Sequence, residues 1–145
     1  MLRETQDKST PFWKDPDAIA SHMEDVVWGM AEAVNLRLFE AHSSSQYFAP
    51  DFVVELGRGP ARTGLATHYD DVRKRVDEQP GQVIVSVSNC SSSVDLKTGY
   101  ACLTCHMEAN DPCDGLRRQQ AAVFVWRLFD TKWLCVKYTA IRNVF

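Results

Sequence analysis

Between Gln119 and Arg142 two long apolar runs are separated only by the polar break Asp130–Thr131–Lys132. Ala121 to Phe129 is rich in Val, Phe and Trp, a composition that suits a strand buried on both faces. Trp133 to Ala140 repeats the character after the break. With period-two alternation, Ala122, Phe124, Trp126 and Leu128 share one face, and Leu134, Val136, Tyr138 and Ala140 match it on the second strand. That face carries aromatics, one phenol and no charge, as a sheet covered by helices or lining an apolar cavity would. The opposite face, with Val123, Val125, Arg127, Phe129, Trp133 and Lys137, is mixed. It suits cover by a second copy, so a homodimer is expected.

At 145 residues the chain is long enough for one domain with a real core. A formal net charge of −3, with no basic patch interleaved with aromatics, argues against nucleic-acid binding. No apolar run reaches membrane-spanning length, and Met1–Leu2–Arg3–Glu4–Thr5 lacks the apolar block of a signal peptide. A cytoplasmic location follows as an expectation, and five cysteines, an odd number, fit reduced thiols there.

Residues 1–14 read as a loose arm whose Trp13 docks on the body, and 15–145 as a single domain. Asp15 or Asp17 caps a helix with Pro16 in its first turn. Ile19, Met23, Val26, Val27, Met30, Val34 and Leu38 recur at three- and four-residue spacing, predicting one helix to about Ala41. A helical turn at Gln46–Tyr47–Phe48 precedes a strand from Phe52 to Leu56. Gly57, Gly59 and Pro60 mark a turn, and a second helix runs from Leu65 to about Gln79, ended by Pro80–Gly81. A strand from Gln82 to Val87, a Ser-rich turn region, a strand from Tyr100 to Ala109 and a loop at 110–115 complete the order. The expected architecture is α+β, with helices gathered on one face of a curved sheet of antiparallel strands.

At this level the chain resembles the nuclear transport factor 2 (NTF2)-like superfamily, and more narrowly the SnoaL-like polyketide cyclases and ketosteroid isomerase relatives. The resemblance rests on Tyr47–Phe48–Ala49–Pro50–Asp51–Phe52, on Arg62–Thr63–Gly64 opening the second helix, and on Phe124 to Asp130 followed by Lys132–Trp133. It implies a cone-shaped α+β barrel whose helices and concave sheet enclose a pocket. Members include isomerases, cyclases, dehydratases, epoxide hydrolases and non-catalytic binders, so the fold does not by itself assign function. The short, Cys-rich whole is similar to members from fungal secondary-metabolite pathways.

Glu55 is the one acid in the strand Phe52–Val53–Val54–Glu55–Leu56, and a carboxylate buried there is costly without a purpose. It lies nine residues before Gly64, where the resemblance places a proton-shuttling carboxylate, Glu standing here for Asp. The alternative is a solvent-facing Glu55 on an edge strand. His68 shares a helix face with Leu65, Tyr69, Val72 and Val76, where it either exchanges protons or serves as a structural histidine. His106 alternates with Cys105 and Met107, and either face of that strand fits the interior. His22 and His42 read as helix-surface residues. Tyr138 shares the Trp126 face and can donate a hydrogen bond to a substrate carbonyl or enolate. Arg142 and Arg37 are candidates to neutralise an acidic group, and Trp126, Phe124 and Trp28 to shape the pocket. Where the resemblance implies a protonated acid for the oxyanion, this chain has Phe124. Cys102, Cys105, His106 and Cys113 do not make a metal site, because residues three apart on a strand face opposite ways. No nucleotide fingerprint or nucleophile motif is present.

The expectation is a cofactor-free, metal-free isomerase or cyclase acting by acid–base proton transfer on a hydrophobic polycyclic, polyketide- or terpenoid-derived ketone. Glu55 is the base in this reading, with His68, Tyr138 and His106 assisting. A dehydratase using the pair His68 and His106, and a non-catalytic binding or dimerisation module of the same fold, are the alternatives. The module predicts an exposed or salt-bridged Glu55 and a cavity filled by side chains.

Overall fold

The computed structural model describes residues 10–39, 43–56, 60–77, 83–110 and 117–142. Helix α1 spans Pro16–Leu36 and α2 spans Leu65–Asp77. The strands are β1 (Phe48–Glu55), β2 (Arg62–Thr63), β3 (Ile84–Asp95), β4 (Tyr100–Asn110), β5 (Arg117–Phe129) and β6 (Lys132–Arg142). They form one sheet in the order β2-β1-β6-β5-β4-β3, antiparallel except where β1 runs parallel to β6. The α+β architecture expected from the sequence is present, with both helices packed against a curved sheet.

α1 starts where the sequence places it. The Asp15 side chain accepts from the backbone N–H of Asp17 and Ala18, and Pro16 occupies the first turn. Ile19, Met23, Val26, Val27, Met30 and Val34 are all buried. The helix stops five residues before Ala41, however. Arg37 adopts a left-handed conformation (φ 58°), and the N–H of Leu38 bonds back to the Ala33 carbonyl, closing the helix. Leu38 is therefore exposed, and Phe39 takes the core position expected of it.

β3 also departs from expectation. The Ser-rich stretch continues the strand to Asp95, with a bulge between Ser88 and Ser91 and Asn89 at φ 53°. β3 is an edge strand, so its wet face carries serine without burying it.

The largest correction concerns β6. Val125 pairs with Lys137 but Trp126 pairs with Cys135, so Val136 is an extra residue that shifts the alternation. Tyr138 and Ala140 face the core as expected. Below the bulge Trp133 and Cys135 do so instead of Leu134 and Val136. Trp133, placed by simple alternation on the outer face, is only 2 % exposed, and its indole N–H donates to the Trp13 carbonyl at 2.9 Å. Trp13 thus packs on the body, while residues 1–9 lie outside the described residues. No described helix is long and apolar enough to cross a membrane.

Candidate functional site

α1, α2 and the concave face of the sheet surround a cavity of about 250 Å³. Met30, Ala31 and Val34 of α1 and Met107 of β4 form apolar walls. His68, Val72 and Val76, three of the α2 residues expected to face inward, line it together with Arg75. Gln120 and Tyr138 face it from β5 and β6, and Arg75, Glu108 and Arg118 stand toward its open end.

The polar groups inside are few and connected. Gln120 Nε2 donates to the Tyr138 hydroxyl at 2.7 Å, and that hydroxyl donates to Met107 Sδ at 3.7 Å. A thioether is a weak acceptor, so the phenolic proton is held loosely and is available to a stronger acceptor in the cavity. The Tyr138 ring stacks on Phe124 at 4.6 Å with an interplanar angle of 2°. His68 is only 5 % exposed, sits edge-on to Tyr138 at 5.6 Å, and makes no side-chain hydrogen bond to a described residue.

Burial fixes the protonation states. Desolvation, helped by the Arg75 cation and opposed by Asp71, lowers His68 to about 4, so its imidazole is neutral at pH 7 and can accept a proton. Desolvation and the neighbouring Cys105 raise Tyr138, while the Gln120 hydrogen bond and Arg75 act against that rise. Its phenol stays protonated and can donate. One neutral acceptor and one neutral donor therefore face the same cavity.

Of the other residues singled out from sequence, Glu55 is placed differently. Phe52 and Val54 point inward, and strand alternation sends Glu55 to the outer face, 3.2 Å from Lys137 Nζ, with its side chain 46 % exposed. An open ion pair of this kind costs little to hold and explains the acid without catalysis. His106 lies on the same outer face, because Cys105 and Met107 take the inward positions. Its expected pairing with His68 across the cavity is therefore absent. Trp28 is exposed on the far side of α1, and Arg37 donates to the Val34 carbonyl at the helix end. Trp126 is buried but lies away from the cavity, edge-on to His22 at 6.1 Å, and Phe124 acts only as the platform under Tyr138. His22 is wedged between Phe12 and Tyr47 and is not a simple surface residue. The Arg142 side chain, His42 and Cys113 lie outside what is described. Among the described residues no three His, Cys, Asp or Glu side chains converge as metal ligands, and Cys90, Cys102, Cys105 and Cys135 are unbridged.

Gln120, Arg75 and Arg118 were not foreseen. Gln120 continues the inward register Ala122–Phe124–Trp126 by one step, and Arg75 continues the His68–Val72 face of α2. Gln120 was legible by strand alternation and Arg75 by helical spacing.

By sequence, no family model and no curated protein matches the chain. By structure it superposes on an NTF2-like protein of unknown function from Pseudomonas putida KT2440 with a TM-score of 0.72 at 11 % identity, covering 89 % of each chain. The chain has the NTF2-like fold. A proposed dehydratase of the NTF2-like family from Streptomyces avermitilis superposes with a TM-score of 0.70 at 14 % identity, over 90 % of this chain and 100 % of that one. A proposed aromatic ring hydroxylase from Novosphingobium aromaticivorans gives 0.67 at 15 % identity, over 90 % and 93 %. Some neighbours of the NTF2-like cone thus carry tentative enzyme assignments and others have no known function.

Proposed function

We propose that this NTF2-like chain is a cofactor-free acid–base enzyme acting on a compact, mainly apolar carbonyl compound. The observation that carries this is the placing of neutral His68 beside protonated Tyr138, ring centroids 5.6 Å apart, on the wall of one cavity. In the proposed step the Tyr138 O–H bonds the carbonyl oxygen, and His68 takes a proton from the adjacent carbon. The electron pair moves onto oxygen, giving an enolate held by the phenol and by the positive potential of Arg75. Return of the proton from the His68 imidazolium to another carbon gives isomerisation; attack of the enolate carbon on a second carbonyl carbon of the same molecule, whose oxygen takes that proton, gives cyclisation; and departure of a β-hydroxyl that takes it as water gives dehydration. A volume of about 250 Å³ lies below the roughly 300–1,000 Å³ usual for ligand pockets, which favours one or two rings over a large polycycle. A small polyketide- or terpenoid-derived ketone of secondary metabolism, handled in the cytoplasm, is the substrate class proposed. The base is His68, replacing Glu55.

The test is exchange of α-protons for deuterium in a bicyclic ketone, 2-tetralone, followed by proton NMR. The wild type is expected to accelerate exchange, His68→Gln to lose about 100-fold or more, and Tyr138→Phe about 10- to 100-fold. Exchange by both variants at the wild-type rate would sink the reading. The Glu55–Lys137 ion pair favours a second reading, a non-catalytic binder, whose signature is ligand binding with no exchange at all.

A further inference from the structure

We infer that the ligand of this cavity carries an anionic group, most simply a carboxylate, which Arg75 and Arg118 receive at the open end while the apolar body lies against Met30, Val34 and Met107. This rests on the cavity being the ligand site. The inner wall is uncharged: Met30, Ala31, Val34, His68, Met107 and Tyr138 are all buried. Among the described lining residues charge appears only where the lining reaches solvent, and two cations, Arg75 and Arg118, stand there against one acid, Glu108. Glu108 already has an interaction of its own.

Among the described residues the two arginines lack the carboxylate partners that ordinarily occupy such groups. Asp71 lies one helical turn before Arg75, where an ion pair would be natural, but its carboxylate is held by Arg62 from β2 through two bonds of 3.1 and 3.3 Å. Arg75 is left with the Asp71 backbone carbonyl at 3.5 Å, a weak bond. Arg118, opposite Ala109 in the β4–β5 register, forms no ion pair among the described residues. A guanidinium has five donors in a plane and matches a carboxylate with two parallel bonds. Two of them from different elements, bordering an apolar chamber, form a site that separates an acid from its neutral counterpart. The Arg75 charge is also felt inside, since it lowers both His68 and Tyr138.

The experiment titrates the full chain with 2-naphthoate and, separately, with 2-naphthamide, a neutral molecule of nearly the same shape, following the His68 ring signals by NMR into the millimolar range. Preference for the carboxylate by about tenfold or more is expected, shrinking as salt is raised. Arg75→Gln and Arg118→Gln, both at exposed positions, are expected to lose that preference while still binding the amide. Equal binding of the two probes by wild type, or a preference kept by both variants, overturns the inference and leaves the cavity reading standing. Binding of neither probe overturns both.

Discussion

His68 sets two different experiments at the scale of a single residue. In the unfolded chain it titrates near 6.5, in the folded chain near 4, so between these values the unfolded state binds the extra proton. Its contribution is therefore complete above pH 6.5 and is lost as pH falls toward 4. The full loss is roughly 3–4 kcal/mol, from about 2.5 pH units at roughly 1.4 kcal/mol each. Urea unfolding at pH 7, 5 and 4 should show this fall, and His68→Gln should flatten it. An unchanged pH profile in the variant would mean that His68 is protonated inside the fold. The same scale shows why Glu55 misled. In Phe52–Val53–Val54–Glu55–Leu56 nearly every residue is apolar, so the run does not display which parity is wet. Only the burial of Phe52 and Val54 reveals that the odd positions face outward. His68 was legible because Leu65, Tyr69, Val72 and Val76 mark the inward face of its helix, and Tyr138 because the polar Lys137 and Thr139 flank it on the outward positions.

At the scale of elements, the sequence showed which segments form and was less informative about their phase and length. The β5–β6 hairpin, α2 and the start of α1 stand where pattern and caps put them. The β6 bulge was not legible, because Leu134–Cys135–Val136 offers three apolar residues in a row and nothing marks the extra one. The bulge turns Trp133 and Cys135 inward below it and Tyr138 and Ala140 inward above it. Deleting Val136 removes the extra residue, so that Cys135 and Lys137 meet Trp126 and Val125 in unbroken alternation and both pairs stay on the core face. The expected cost is about 1 kcal/mol, well short of the ~3–5 kcal/mol of removing a large core side chain. Thermal unfolding followed by near-UV circular dichroism reads it; loss of the near-UV signal with a fall in melting temperature of about 10 °C or more would show that the bulge itself holds the strand in phase. The end of α1 was missed for a related reason, since Leu38 fits the helical period but a left-handed Arg37 intervenes.

For the whole molecule, the cone was readable from the order of its elements, whereas the cavity's contents depend on which side chains leave room. Its outer sheet face keeps Val123 and Val125 half-buried and exposes Phe129 and Ile141. We propose that a second copy covers this face, now without Trp133, which the bulge has turned inward. Sedimentation at tens of micromolar should find a dimer, and Val125→Arg should give a monomer with the cavity's binding intact. A wild-type monomer at that concentration would exclude this arrangement.

The parallel pairing of β1 with β6 has a consequence for how the protein is made. Synthesis releases α1 and β1 early and β6 last, yet Phe52 and Val54 on β1 are closed in by a strand that begins only at Lys132. Until that strand leaves the ribosome, the emerging first half of the chain holds an apolar surface with no partner. Folding is thus completed after translation of β6, in one late step of long loop closure. The time spent waiting for it is when the nascent chain is most exposed to aggregation and most dependent on chaperones.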